Sequence, residues 1–253
     1  MKKYVALVAS VVLGLSLLAG CGAANTNTSA DGKEKLVVGT NAEFPPFEYV
    51  GDDGQPDGFD VALIKSIGDK MGMEVVVEDM AFDSLVAAVG NKIDVAIAGM
   101  TVDEERKQSV DFSDNYYEAL QYVIVLKDSD IATADDLKNK VIGVQMGTTG
   151  MYTADEIEGA TVQNYNKAVD AVNDLINGRV EAVIIDKNPA LVFAEKFSDQ
   201  VKALDGAGFA FETEYYAIAC PKGSELTGKI NAALSELKAD GTFDALVAEY
   251  IGE

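Results

Sequence analysis

The chain has no histidine and no tryptophan, only two cysteines, and five prolines in 253 residues. Without histidine there is no imidazole base, no serine–histidine triad and none of the commonest metal ligand. The cysteines are Cys21 and Cys220. Cys21 closes a leader segment, so Cys220 remains as a lone thiol, with no intramolecular disulfide and no cysteine-based metal site in the mature chain. Positive charge is also scarce: 20 Lys and Arg stand against 42 Asp and Glu, a formal net charge of -22. That balance argues against nucleic acid or an anionic membrane surface as a partner. An acidic cluster such as Asp52-Asp53 or Asp103-Glu104-Glu105 is by default a solvated face or a helix N-terminus. A Walker sequence, a G-x-G-x-x-G string, coiled-coil heptads and long internal repeats are absent too, so nucleotide-binding and solenoid readings have no support.

What is present starts at the N-terminus. Lys2 and Lys3 precede an apolar run from Val5 to Leu18 and the small residues Ala19 and Gly20. Residues 1–20 therefore read as a secretory signal peptide, too short and wrongly flanked to span a membrane. The string Leu18-Ala19-Gly20-Cys21 resembles the lipobox of bacterial lipoproteins, in which the new N-terminal cysteine is diacylated after cleavage. Two acyl chains suffice for stable anchoring, so the expected location is the outer face of the cytoplasmic membrane. Ala23 to Lys35 is small, polar and aperiodic and makes 21–35 a lipidated tether. Loss of the first twenty residues leaves 233 of the 253, enough for one large or two small domains with proper cores.

From Leu36 onward short β-branched runs alternate with helical periodicity. Leu36–Thr40, Glu74–Val77, Val95–Ala98, Val141–Val144 and Ala182–Ile185 read as buried strands. Asp60–Met71, Ala168–Ile176 and Glu225–Lys238 carry apolar stripes at helical spacing. Thr133 stands three before Asp136 as in a capping box, Ser224 precedes an acidic turn, and Gly241 reads as a C-terminal stop. The class is α/β. Two β-rich stretches, Tyr122–Lys127 and Tyr215–Ala219, interrupt the alternation and suggest that the chain crosses twice between two lobes.

Candidate site residues cluster where strands end, the edge at which α/β sheets form a crevice. Gly39 to Glu48 places Asn41, Glu43 and Phe44 directly after a buried strand, with Pro45 and Pro46 stiffening the loop. Val95 to Thr101 ends a strand in Gly99, and Arg106 follows five residues after Thr101. An arginine with hydroxyl and backbone N–H groups nearby suits a carboxylate, because guanidinium gives two parallel charge-assisted bonds. Gln145-Met146-Gly147-Thr148-Thr149 leaves a strand through glycine into a helix N-terminus, which attracts an anion. Asp186 ends an apolar strand with a carboxylate fit for an ammonium.

Gly58-Phe59-Asp60-Val61, Asp103-Glu104-Glu105-Arg106, Asp111 to Asp114 with Tyr116-Tyr117, and Gly147-Thr148-Thr149 together resemble extracellular solute-binding proteins of the polar amino-acid ABC import family. The resemblance runs from about Leu36 to Gly252. It implies a two-lobed clamp of the periplasmic-binding-protein type, each lobe a mixed sheet flanked by helices and joined by a two-strand hinge. Residues 36–119 and 217–253 would form one lobe and 120–216 the other. By the same resemblance Arg106 would clamp a free L-amino acid's carboxylate with Thr101 and the N–H of Thr149, while Asp186 and the Ala98–Gly99 region hold its ammonium. Phe44 and Phe82 would sandwich the side chain, Asn41, Glu43 and Gln145 would read its polar end, and Met146 would point away. Gly58, Asp60, Tyr116 and Tyr117 read as fold residues.

The implied partners are a membrane permease with its cytoplasmic ATPase, reached through the lipid anchor. The clamp itself is expected to be a monomer with no cofactor and no metal. If Glu43 faces the pocket, arginine, lysine or histidine is preferred. If it turns away, glutamine, cystine or another non-cationic amino acid fits. An exported dehydratase or a sensor component on the same fold is the alternative outside transport. Cys220 reads as a small apolar residue in a hinge strand.

Overall fold

The computed structural model of the protein describes residues 32–252. The signal segment, Cys21 and most of the tether lie outside the described residues. Two sheets organise the chain. The first runs in the order Glu74–Asp79, Lys35–Thr40, Val95–Ala96, Ala219–Pro221, Val110–Phe112. Its first three strands are parallel, and Ala219–Pro221 is antiparallel to both of its neighbours. In the second sheet Thr161–Tyr165, Val141–Gln145 and Ala182–Asp186 are parallel neighbours, followed by Tyr117–Leu126 and Val201–Leu204 in antiparallel pairing. Both sheets are thus mixed.

The apolar patterning explains the layers. In the helix Phe59–Met71 the stripe Val61, Ile64 and Ile67 is buried together with Phe59 and Leu63, and it packs against the helix Leu226–Ala239 and the strand Glu74–Asp79. In Ala168–Ile176 the buried face is Ala168, Ala171, Val172 and Leu175, set against the second sheet. Leu36, Val38, Ile142 and Val144 have no exposed surface. Burying a side chain of this size is worth about 1.5–3 kcal/mol, so the strand interiors are the strongest anchors of each lobe.

The chain passes between the sheets at two places. The strand Tyr117–Leu126 begins five residues before the stretch read as β-rich from sequence, because Thr213–Tyr216 pairs along its first half. The second stretch splits: Thr213–Tyr216 joins the second sheet, and Ala219–Pro221 joins the first. Cys220 therefore lies, fully buried, inside the first sheet rather than in the linking strand, and burial pushes its thiol up to about 11. Phe47 plugs the crossing, with ring centroids 4.9 Å from Tyr117 and 5.2 Å from Tyr216. The expected strand Val95–Ala98 stops at Ala96, since the chain leaves the sheet to build the crevice. The capping box of Thr133 and Asp136 is present on a single 3₁₀ turn, Ala134–Leu137.

Candidate functional site

The parallel strands of both sheets end at one crevice. Its walls are made by the residues that follow each strand.

After Lys35–Thr40, the Ala42 N–H donates to Asp79 Oδ1 at 2.9 Å, and the Asn41 amide donates to the Met80 carbonyl at 3.0 Å. These bonds hold the loop so that Phe44 packs inward. After Val95–Ala96 the chain turns through Gly99, at φ 50°. A Cβ there would sit 2.9 Å from Phe44 Cε1, so only glycine allows both the left-handed turn and the close ring. The Gly99 N–H donates to Asp60 Oδ2 at 2.7 Å, as does the Tyr116 hydroxyl at 2.7 Å. Asp60 and Tyr116 thus support the wall from behind, in agreement with their reading as fold residues.

Burial raises the Asp60 carboxyl to about 6 against the lowering effect of these bonds. The neighbouring Glu48, also fully buried, is pushed well above the carboxylate range by burial and then by Asp60.

Arg106 is 6% exposed and starts the short helix Arg106–Ser109. Its Nη1 donates to the Thr101 carbonyl at 2.7 Å and its Nη2 to the Gly147 carbonyl at 2.9 Å. Nε lies 3.0 Å from Asp103 Oδ2, and the guanidinium carbon stands 5.4 Å from the centre of the Phe82 ring. A guanidinium has five N–H donors, so its second Nη hydrogens remain for a ligand. The ion-pair partner of Arg106 is Asp103 rather than the adjacent Glu104 or Glu105, and the group is buried.

From the second sheet, Gln145 ends its strand with 5% exposure. Thr148 caps the helix Thr149–Asp155 by accepting from the Met151 N–H at 3.3 Å. Asp186 ends Ala182–Asp186 and accepts the Tyr216 hydroxyl at 2.6 Å. Burial raises the Asp186 carboxyl to about 7, with the negative charge of Glu214 adding to the rise.

These groups enclose a narrow slot, nearly filled by its own walls, with about 300 Å³ of empty space counted out to its open mouth. Every residue expected from sequence to touch the ligand lines it except Glu43, and Thr148 joins them. Met146 is 37% exposed and absent from the lining. The two rims also touch directly. Gln145 Nε2 donates to Asn41 Oδ1 at 2.8 Å, Arg106 bonds the Gly147 carbonyl, and Lys167 pairs with Glu43 across the mouth. Gly147, at φ 77°, comes so near Asp83 that a Cβ would stand 3.0 Å from Asp83 Cβ. Glu43 thus spends its charge on Lys167 and not on the slot.

Sequence reasoning did not find Gln121, Glu214 or Tyr216. Glu214 accepts from the Thr101 hydroxyl at 2.6 Å and the Thr149 hydroxyl at 2.7 Å, with Gln121 Nε2 at 3.5 Å. No motif marks these positions, since each reaches the site through strand pairing.

Among the described residues no cluster of three or more His, Cys, Asp or Glu could hold a metal, and no helix is long and apolar enough to cross a membrane.

Residues 36–253 match the family described as bacterial extracellular solute-binding proteins, family 3. The arginine-binding extracellular protein ArtP of Bacillus subtilis is 38% identical over 254 residues, 99% of this chain and 98% of its own length. A solved ancestral arginine-binding protein bound to arginine superposes with TM-score 0.81 at 42% identity, covering 85% of this chain and 97% of that one. An ancestral arginine-binding protein bound to glutamine gives TM-score 0.79 at 42% identity, covering 87% of this chain and 98% of that one.

Proposed function

The chain belongs to family 3 of the bacterial extracellular solute-binding proteins, and from that membership we propose that it is the amino-acid receptor of an ABC importer, with a cationic ligand, arginine first. Its family is one of binding proteins rather than enzymes. The observation that carries the reading is that Arg106 and Asp186 line one slot together with Phe44 and Phe82. A buried guanidinium suits a carboxylate and a buried carboxylate suits an ammonium, which is the charge pattern of a free α-amino acid.

A cationic side chain is favoured by charge and by hydrogen-bonding sense. Arg106 is already paired with Asp103, and Asp186 and Glu214 stand near the slot with no further cation of their own beside them in the lining. At the polar end, Gln145 Nε2 already donates to Asn41 Oδ1 and to the Asn166 carbonyl, which leaves the Gln145 amide with an acceptor for a side chain that donates. Aromatic walls suit a planar guanidinium. Lysine and histidine share the charge without the planar fork of donors or with fewer of them. A second reading, glutamine or cystine, is favoured by Glu43, whose pairing with Lys167 takes a negative charge away from the slot.

The lobes divide the site. We assign 36–119 and 217–253 to one lobe and 120–216 to the other, with the paired strands Tyr117–Leu126 and Thr213–Tyr216 as the link. Ligand contacts from both lobes favour the closed form by differential affinity, and the closed clamp is what a membrane permease with its cytoplasmic ATPase would accept.

Calorimetric unfolding with each amino acid at about 1 mM tests the ligand. A ligand with a micromolar Kd stabilises by about 4 kcal/mol. Arginine is expected to shift the midpoint most, followed by lysine and histidine. A shift confined to glutamine or cystine would replace the ligand and keep the clamp, and no shift with any amino acid would sink the receptor reading.

The anchor rests on Lys2, Lys3 and the Leu18-Ala19-Gly20-Cys21 string. Cys21→Ser is expected to abolish incorporation of labelled fatty acid and to release the protein from the membrane fraction. Retention of label in that variant would exclude Cys21 as the acylated residue.

A further inference from the structure

Glu48 and Asp60 have no exposed surface, and their carboxyl groups lie within hydrogen-bonding reach of each other behind the wall of the slot. Asp60 stands in the first turn of the helix Phe59–Met71, where its Oδ2 takes both the Gly99 N–H and the Tyr116 hydroxyl. Its Oδ1 and both oxygens of Glu48 are buried and find no donor among the described residues. Glu48 is also the strand partner of Phe44. The loop that carries Phe44 and the turn that carries Gly99 therefore meet at one pair of carboxyls, and both residues line the slot.

Two adjacent buried carboxylates are unfavourable on every count: like charges repel, burial penalises each, and three acceptors lack donors. One proton removes all three costs. On Glu48 it makes an O–H that can donate to Asp60 Oδ1. The remaining charge then rests on Asp60, where three donors and the helix N-terminus hold it. The other ionisable groups that act on the pair are Tyr116, which donates to Asp60, and Asp186, whose negative charge strengthens the hold of Glu48 on its proton.

We propose that Glu48 is protonated at neutral pH and is a positioning residue of the slot, its O–H binding Asp60 so that the carboxyl–carboxylate pair clamps the Phe44 loop and the Gly99 turn to one helix N-terminus. Its effect on binding rests on the receptor reading above, and its protonation does not.

The test uses Glu48→Gln, whose amide N–H replaces the O–H, and Glu48→Leu, of similar size without a donor. Infrared spectroscopy reads the proton itself, as the carbonyl stretch of a protonated carboxyl. At neutral pH the wild-type spectrum minus that of Glu48→Gln should contain one such band, the contribution of Asp186 cancelling in the difference. Arginine affinity is expected to fall about tenfold or more in Glu48→Leu and to recover to within about threefold of wild type in Glu48→Gln. No band, or a loss in Glu48→Gln as large as in Glu48→Leu, would show that Glu48 is ionised, and unchanged affinity in Glu48→Leu would leave it no positioning role. Each of these results overturns the proposal. If Glu48→Leu does not fold, the band and the Glu48→Gln affinity decide. Wild-type protein that binds no amino acid would remove the receptor reading, while the band still tests the shared proton. If it binds a different amino acid, that amino acid is the titrant to use.

Discussion

Arg106→Ala is expected to reduce amino-acid affinity by roughly two to three and a half orders of magnitude, about 3–5 kcal/mol. The size follows from burial. Arg106 is 6% exposed, and a ligand carboxylate drawn into the slot beside it loses its water. Without the guanidinium that anion is left uncompensated in a confined site. The truncation also strips the Thr101 and Gly147 carbonyls of a donor and leaves Asp103 without its ion-pair partner. Arg106→Lys keeps the charge on a single ammonium, which cannot serve two rim carbonyls and a carboxylate at once, so it should fall between alanine and wild type. Isothermal titration with arginine reads the effect, and unfolding of the unliganded variants separates loss of binding from loss of fold. Affinity of Arg106→Ala within threefold of wild type would show that the carboxylate subsite lies elsewhere.

Acidification should weaken binding through Asp186. Its carboxyl is raised to about 7, first by burial and then by Glu214, and only its ionised form attracts an ammonium. Below pH 7 the unliganded protein holds a proton there that the ligand must displace, so affinity falls by up to tenfold per pH unit, about 100-fold by pH 5. At pH 7 binding should release about half a proton from this group, visible as a dependence of the apparent enthalpy on the buffer's ionisation enthalpy.

The unliganded protein responds in the opposite sense. A carboxyl raised on folding binds its proton more tightly folded than unfolded, so its contribution to stability falls as pH rises from about 4 to about 7. Asp60, raised to about 6, acts in the same direction. Asp186→Asn isolates the group. It should flatten most of the pH dependence of affinity, leaving the contributions of Asp60 and Glu48 to stability in place, while costing about 2–3 kcal/mol in affinity at pH 8. A profile as steep in the asparagine variant as in wild type would assign the titration to another group.

The strand and helix interiors were legible because burial imposes a period. Lys35–Thr40, Val141–Gln145, Ala168–Ile176 and Ala182–Asp186 lie within a residue or so of where apolar runs and stripes place them. Strand Val95–Ala96 is shorter than its apolar run, because beyond it Ile97 and Met100 are buried in the core and Ala98 lines the slot. Apolar composition records burial and cannot tell a strand from a buried turn. The linking strands were displaced for a related reason: Tyr117 and Thr213 belong to β-structure only because each finds the other's strand, and pairing partners a hundred residues apart leave no local mark.

The sequence by itself determined the class of fold, the acidic character, and which residues follow the strands at the crevice. Each of these depends on local chemistry: a run of β-branched residues, a surplus of carboxylates, a glycine before a hydroxyl. Only the tertiary structure decided how those residues spend their charges and protons. Glu43 is turned from the slot because Lys167, 124 positions on, meets it across the mouth. Glu214 meets the hydroxyls of Thr101 and Thr149 because strand pairing carries it between them. Partner choice among charged groups is settled by distance in space and by desolvation, and neither is written in the order of the chain.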